Sequence, residues 1–238
     1  MSTIRRRPRP NRLLEALPHH ESLRILDECD AVELEFGQVL KEPDSRIRHV
    51  YFPIDSFITM MIPIVGTGNL EVALVGNEGM LGLPLILGLN VSPLRAFVQG
   101  PGPAWRMTAM MFARALTRSP ALRRRLNRYL QVRMSQLAQT AACTRFHVVE
   151  QRVARWLLMT QDRAHADEFH VTHEFLARML GVRRVGITKA ASALQTRGLI
   201  QYHRGRVTIH DRTGMKAAAC DCYQADRDTY DALLGAAD

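Results

Sequence analysis

The chain has 238 residues, 47% of them hydrophobic, and carries 32 Lys and Arg against 23 Asp and Glu, a formal net charge of +9. That is length for two ordinary domains with buried cores, and the charge points to a polyanionic partner. No run approaches 18 uninterrupted apolar residues, which excludes a helical membrane span, and the basic stretch 1–12 lacks the apolar run of a secretory signal, so it reads as a disordered arm of a cytoplasmic protein.

Residues 11–30 read as helical. Asn11 is placed to cap, Leu13, Leu14 and Leu17 form an apolar patch before Pro18, and a second short helix is expected from His20 to Cys29. From Ala31 to about Met107 the period changes to two. Val32 to Phe36 alternates and Gly37 ends it. Val50 to Phe52, Phe57 to Ile62, Leu70 to Val75 and Ala96 to Gln99 read as further strands, with Gly66-Thr67-Gly68-Asn69 as a hairpin turn. Short strands at regular turn signals predict a β-sandwich or barrel.

From Ala109 the pattern is helical again. Ser119-Pro120 is a helix start, with Ser at the cap and Pro at the first position, and no Gly or Pro follows before Arg145. Leu122, Leu126, Leu130, Met134, Leu137 and Ala141 make one apolar stripe, which predicts pairing with the same helix of a second copy. Packing on the chain's own β domain is the alternative, and different faces can serve both. Val149, Val153, Trp156, Leu157 and Thr160 mark another helix, and 162–170 reads as a polar connection.

Thr172 to Ile200 carries the densest information. Thr172 is set to cap a helix whose Phe175, Leu176, Met179 and Leu180 form one apolar stripe, and Gly181 supplies the left-handed residue that closes it. A second helix begins near Arg183. Ile187, Ala190, Ala191 and Leu194 must be buried, while Arg183, Arg184, Thr188, Lys189 and Ser192 face outward. This is the layout of a helix-turn-helix that sets its second helix in the DNA major groove. Leu199 to Tyr202 and Val207 to Ile209 then form a hairpin with Arg204 and Arg206 at its tip, a wing suited to backbone phosphate. Asp211 to Gly214 turns the chain, and a C-terminal helix is expected from Ala217 to Leu234.

Cys29, Cys143, Cys220 and Cys222 are too few and too scattered for a disulfide framework, and Cys220-Asp221-Cys222 has one intervening residue instead of two. No zinc or iron–sulfur site is expected, and the thiols read as reduced. His19, His20 and His49 show no ligand spacing. A metal enzyme on a small β-barrel would need converging His and carboxylate ligands, and only His49 lies near the strands, so no enzymatic chemistry is expected.

The order of a β domain, a long helix and a winged helix-turn-helix resembles the Crp/Fnr family of bacterial transcription regulators over nearly the whole chain. The most specific runs are Leu176 to Arg184 and Ala193 to Ile200, with His49 to Pro53 and Val75 to Gly82 alongside. The resemblance implies an α+β chain with an N-terminal β-roll (jelly-roll, cyclic-nucleotide-binding-like) domain, a long dimerisation helix and a C-terminal winged helix-turn-helix. The expected division is 1–30 for the arm and N-terminal helices, 31–115 for the β-roll, 116–145 for the dimerisation helix, 146–216 for the winged helix-turn-helix and 217–238 for the C-terminal helix.

The resemblance further implies a homodimer on a palindromic double-stranded DNA site, acting with RNA polymerase. Arg184 matches the family's base-reading Arg and Lys189 a later basic residue, but the intervening family Glu is Val185, which cannot accept from cytosine, so the half-site should differ. In the effector pocket, Gly82 is followed by Leu83 where nucleotide binders have Glu, and Arg95-Ala96 lacks the intervening Ser. No tight binding of cyclic AMP is expected, and no other effector is identified. The family's N-terminal iron–sulfur cluster is excluded, because Cys29 stands alone in the first 142 residues; no cofactor is expected.

Overall fold

The computed structural model describes residues 11–66 and 68–235. The arm expected over 1–12 thus lies almost wholly outside the described residues. The chain opens with α1 (Arg12–Glu15) and α2 (His19–Asp27). Asn11 caps α1, its Oδ1 accepting from the amides of Leu13 and Leu14, while its Nδ2 donates to the carbonyls of Pro53 and Gly79. One side chain therefore both starts the helix and ties it to the β domain.

Seven strands follow: β1 (Asp30–Leu34), β2 (Val39–Lys41), β3 (His49–Pro53), β4 (Phe57–Ile64), β5 (Gly68–Val75), β6 (Arg95–Gly100) and β7 (Gly102–Thr108). They form two antiparallel sheets, ordered β1-β7-β3 and β2-β6-β4-β5. Leu34, Tyr51, Ile58, Val75, Leu81, Ala96, Val98 and Ala104 fill one core in this layer. β2 and β7 are absent from the sequence reading. Both lack clean alternation: β2 has three residues, and β7 begins Gly-Pro. A 3₁₀ turn, Leu83–Leu87, sits between β5 and β6.

Next come α3 (Ala109–Arg118), α4 (Pro120–Phe146) and α5 (Val149–Ala164). Ser119 caps α4, its hydroxyl accepting from the Leu122 amide at 3.0 Å. At about 1.5 Å per residue, 27 residues make α4 roughly 40 Å long. Its expected dimer stripe divides. Leu122 and Leu126 are fully buried in the chain's own core with Phe52, Phe112 and Tyr129, so they are corrected from interface to core. Leu130 is half-buried, whereas Met134, Leu137 and Ala141 are exposed.

The rest comprises β8 (Glu168–His170), α6 (His173–Leu180), α7 (Arg184–Thr196), β9 (Ile200–His203), β10 (Arg206–Ile209), α8 (Arg212–Ala218) and α9 (Cys222–Leu234). The polar connection at 162–170 is corrected: α5 runs to Ala164, and β8 joins β10 and β9 in a three-stranded sheet. The expected turn at Asp211 starts a helix instead, with Asp211 Oδ1 accepting from the Gly214 amide at 2.8 Å. The single C-terminal helix is two, broken between Ala218 and Cys222. No helix among the described residues is long and apolar enough to cross a membrane.

The β layer and the helical layer meet along β5, α5 and α6. Arg163 on α5 pairs with Glu78 at 2.7 Å, both nearly buried, and Arg133 on α4 donates to the Leu74 carbonyl at 3.1 Å. Phe97 and Phe175 meet edge-on at 6.3 Å between ring centres. Trp156 Nε1 donates to Glu71 at 2.8 Å. Burial pushes the Glu71 carboxyl up to about 8, against the Trp156 hydrogen bond and the guanidiniums of Arg163, Arg155 and Arg133.

A carboxyl raised on folding binds its proton more tightly in the folded state, so stability is lost as pH rises through the window from about 4.5 to about 8. Glu71→Gln keeps an acceptor for Trp156 and removes the titration. Thermal melts should therefore show the wild-type midpoint falling more steeply than that of the variant between about pH 5 and pH 8.5. Parallel curves would contradict a protonated Glu71 at this joint.

Candidate nucleic-acid interface

α6 and α7 are built by caps and by burial. Thr172 Oγ1 accepts from the Phe175 amide at 3.1 Å, a cap worth about 0.5–2 kcal/mol. Gly181 closes α6 at φ 63°, and a β-carbon there would press against Leu70 at 3.0 Å. The left-handed backbone conformation favours glycine, and the Leu70 methyl of β5 leaves little room beside it. Arg183, with extended dihedrals, precedes the first residue of α7. Ile187, Ala190, Ala191 and Leu194 are all buried, the first, second and fourth of them in one core with Trp156, Leu157, Leu176 and Val207. Burial of Ile187 and Leu194 stabilises the helix by about 1.5–3 kcal/mol each.

With that face committed inward, the opposite face is open. Thr172, Arg183, Arg184, Val185, Thr188, Lys189, Ser192, Arg204 and Arg206 are all exposed. They lie on the N-terminal end of α6, the outer face of α7 and the β9–β10 tip. Arg204 at φ 49° and Gly205 at φ 79° make that tip. Among the described residues, no ion pair engages Arg183, Arg184, Lys189 or Arg204. Arg206 instead pairs with Glu168 on β8 at 2.8 Å, both well exposed. An exposed pair of this kind is weak, so a phosphate can displace it.

Three positioning residues escape the sequence reading. His173 Nδ1 lies 3.1 Å from Thr188 Oγ1, and its ring packs 4.4 Å from that of Tyr202. Burial first, and the neighbouring Arg184 guanidinium second, hold His173 below the usual histidine range, favouring the neutral ring. Thr188 donates its hydroxyl proton to the Arg184 carbonyl at 3.2 Å, which leaves Thr188 Oγ1 to accept from His173 Nδ1. The Tyr202 amide donates to Gln195 Oε1 at 2.8 Å, and the Tyr202 hydroxyl donates to the Val171 carbonyl. His173, Gln195 and Tyr202 thereby fix α6, α7 and the wing as one unit. The available signals, a His after a cap and an aromatic in a strand, are shared with many unrelated segments.

The β domain holds a cavity of about 330 Å³ lined by Lys41, Glu42, Arg46, Arg48, His49 and Gly82 among others. Of the three expected effector residues, Gly82 borders it. Leu83 and Arg95 do not line it. Gly82 takes φ 112°, and a β-carbon would collide with Val50 Cγ1 at 2.7 Å. Leu83 opens the 3₁₀ turn and packs on the Leu122 core. Arg95 is engaged by Glu42, with Nε at 3.1 Å and Nη2 at 3.2 Å from its two carboxylate oxygens. Lys41 Nζ is held by the carbonyls of Glu42, Ser92 and Leu94.

Residues 151–218 match the model of the Crp-like helix-turn-helix domain. Most of the chain resembles several solved structures in fold. A protein of the Crp/Fnr family from Eubacterium rectale is 19% identical, with a TM-score of 0.67 over 87% of this chain and 96% of its own. The c-di-GMP responsive global regulator CLP of Xanthomonas campestris is 16% identical, with a TM-score of 0.66 over 82% of this chain and 100% of its own. A transcriptional regulator of the Crp/Fnr family from Thermus thermophilus is 19% identical, with a TM-score of 0.65 over 80% and 98%. At these identities the likeness shows the fold. No curated protein matches the sequence.

Arg184→Ala should weaken binding to a cognate duplex by about 1–3 kcal/mol, roughly 5- to 150-fold, and leave binding to random duplex nearly unchanged. Arg204→Ala should weaken both alike and flatten the salt dependence. Fluorescence anisotropy on the two duplexes reads both effects; an unchanged cognate-to-random ratio in Arg184→Ala would remove Arg184 from base recognition.

Proposed function

From the Crp-like helix-turn-helix domain at 151–218 we propose that this chain is a sequence-specific transcription regulator that binds a palindromic DNA site as a homodimer. The observation that carries the reading is the exposed row Arg183, Arg184, Thr188, Lys189 and Ser192 on α7, backed by a fully packed inner face. α7 enters the major groove, its N-terminal arginines reach base edges, and the wing lies over phosphate. Val185, 59% exposed between the two ends of this row, offers a thymine methyl an apolar contact and offers cytosine no acceptor. The half-site therefore carries a methyl-bearing base at that step. RNA polymerase is the downstream partner.

The dimer axis runs along the C-terminal half of α4. Leu130, Met134, Leu137 and Ala141 are the surface that a second copy covers, and the division of the chain near residues 30, 115, 145 and 216 belongs to the same reading. Two-fold symmetry then sets two α7 helices about 34–36 Å apart, one turn of duplex. Replacing Met134 and Leu137 with Glu should convert the dimer to monomer in sedimentation and weaken binding to a two-half-site duplex at least about tenfold, with melting preserved. A variant that still sediments as a dimer would place the interface elsewhere.

The β domain acts with a nucleotide pocket that has lost its grip. Arg95 pairs with Glu42 and Leu83 packs on the Leu122 core, which supports a pocket without the family's grip on phosphate and ribose. The cavity beside Gly82 supports a second reading, a regulator of the same fold switched by a small ligand, because Arg46, Arg48 and Lys41 border it. Calorimetry with cyclic AMP and cyclic GMP separates the two. No heat at millimolar nucleotide is expected; micromolar binding would establish the second reading.

A further inference from the structure

Cys143, Cys220 and Cys222 share no recognisable spacing, yet the fold gathers them. Cys143 lies in the last turn of α4, and His147 follows four positions later, the interval that places two side chains on one helix face. Cys220 and Cys222 flank Asp221 in the bend between α8 and α9. Cys143 Sγ lies 3.5 Å from Cys220 Sγ, 77 residues on. Cys222 Sγ lies 3.4 Å from His147 Nδ1. All four donor atoms fall within 4.8 Å of one another, with the three cysteines buried and His147 half-buried. The thiols form a small cluster of their own, sulfur against sulfur, apart from the aliphatic cores.

The donor set is that of a closed tetrahedral site, three thiols and one imidazole nitrogen around a common centre. Bonds of about 2.3 Å to sulfur and about 2.0–2.1 Å to nitrogen give tetrahedron edges of about 3.5–3.8 Å. Two approaches, 3.5 and 3.4 Å, come close to such edges, and no two donor atoms are more than 4.8 Å apart. A space of this size takes a single ion and not a multi-iron cluster. The surroundings match as well. The Gln139 amide donates to Cys222 Sγ at 2.9 Å, the outer hydrogen bond that a metal-bound thiolate accepts. The Arg152 and Arg155 guanidiniums lie in the field of Cys143, and Arg155 is anchored by Asp226 at 2.6 Å.

We propose that Cys143, His147, Cys220 and Cys222 bind one zinc-type divalent ion in a structural site that clamps the α8–α9 bend to the α4–α5 hinge. Three S–H bonds are exchanged for three S–metal bonds, the protons pass to solvent, and no electron is transferred. Three thiolates against a divalent ion leave one negative charge, which Arg155 and Arg152 offset. The position gives the ion its role. α4 ends at the site and α5, the first helix of the DNA-binding unit, begins two residues beyond His147. The ion therefore sets the angle between the long helix and the reading head, and holds α9 against α4.

The test uses the full-length chain purified without a histidine tag. Elemental analysis should find about one zinc per chain. After chelation, cobalt(II) should restore one ion per chain with a thiolate-to-cobalt charge-transfer band and tetrahedral d–d bands. Cys220→Ser and Cys222→Ser should lose that band, Cys29→Ser should keep it, and Gln139→Ala should weaken cobalt affinity about tenfold or more. Where a cysteine variant does not fold, the wild-type stoichiometry and spectrum decide. Absence of zinc together with a weak octahedral cobalt spectrum would overturn the proposal, as would an intact band in Cys222→Ser. A Cys143–Cys220 disulfide in protein isolated under reducing conditions without any bound zinc would overturn it too.

Discussion

A single helix must satisfy several neighbours at once, and α4 shows how the sequence divides that labour. Its first half is consumed by the chain itself, with Leu122, Leu126, Tyr129 and Val132 fully or almost fully buried. Its second half turns Met134 and Leu137 outward and ends at Cys143 and His147, where the chain bends into α5. A rigid rod some 40 Å long cannot shift at one end without moving the other. The β layer, the exposed apolar face, the sulfur cluster and the helix-turn-helix are therefore mechanically linked through one element.

The joint between layers is polar where most cores are apolar. Arg163 and Glu78, Arg155 and Asp226, and Trp156 and Glu71 all sit between α5 and its neighbours. Buried pairs contribute little net stability against an apolar replacement, but stranding one partner is costly. Such a joint is specific without being strong. It suits a reading head whose orientation must be defined, and it makes the packing sensitive to the charge on Glu71.

The helix-turn-helix was legible because its signals are local. Thr172 and Gly181 bound one helix, and the spacing of Ile187, Ala190, Ala191 and Leu194 states which face of the next is buried. β8 was illegible because Glu168-Phe169-His170 is short and polar and becomes a strand only when β10 supplies a partner. Periodicity could not divide the α4 stripe, since Leu122 and Met134 carry the same signal and differ only in what the fold brings to them. Nothing local reveals that Glu42, 53 residues away, engages Arg95. The thiol cluster joins Cys143 to Cys220 across the entire DNA-binding unit, and no local spacing rule detects such a site.

The central claim is that α7, presented twice along a common α4 axis, reads a defined DNA word. Genome-wide mapping of the sites bound by the full-length chain tests it most directly. The account predicts peaks upstream of transcribed units that share an inverted repeat, with half-sites one helical turn apart, centre to centre. Binding spread evenly over the genome, with no shared motif, would contradict it.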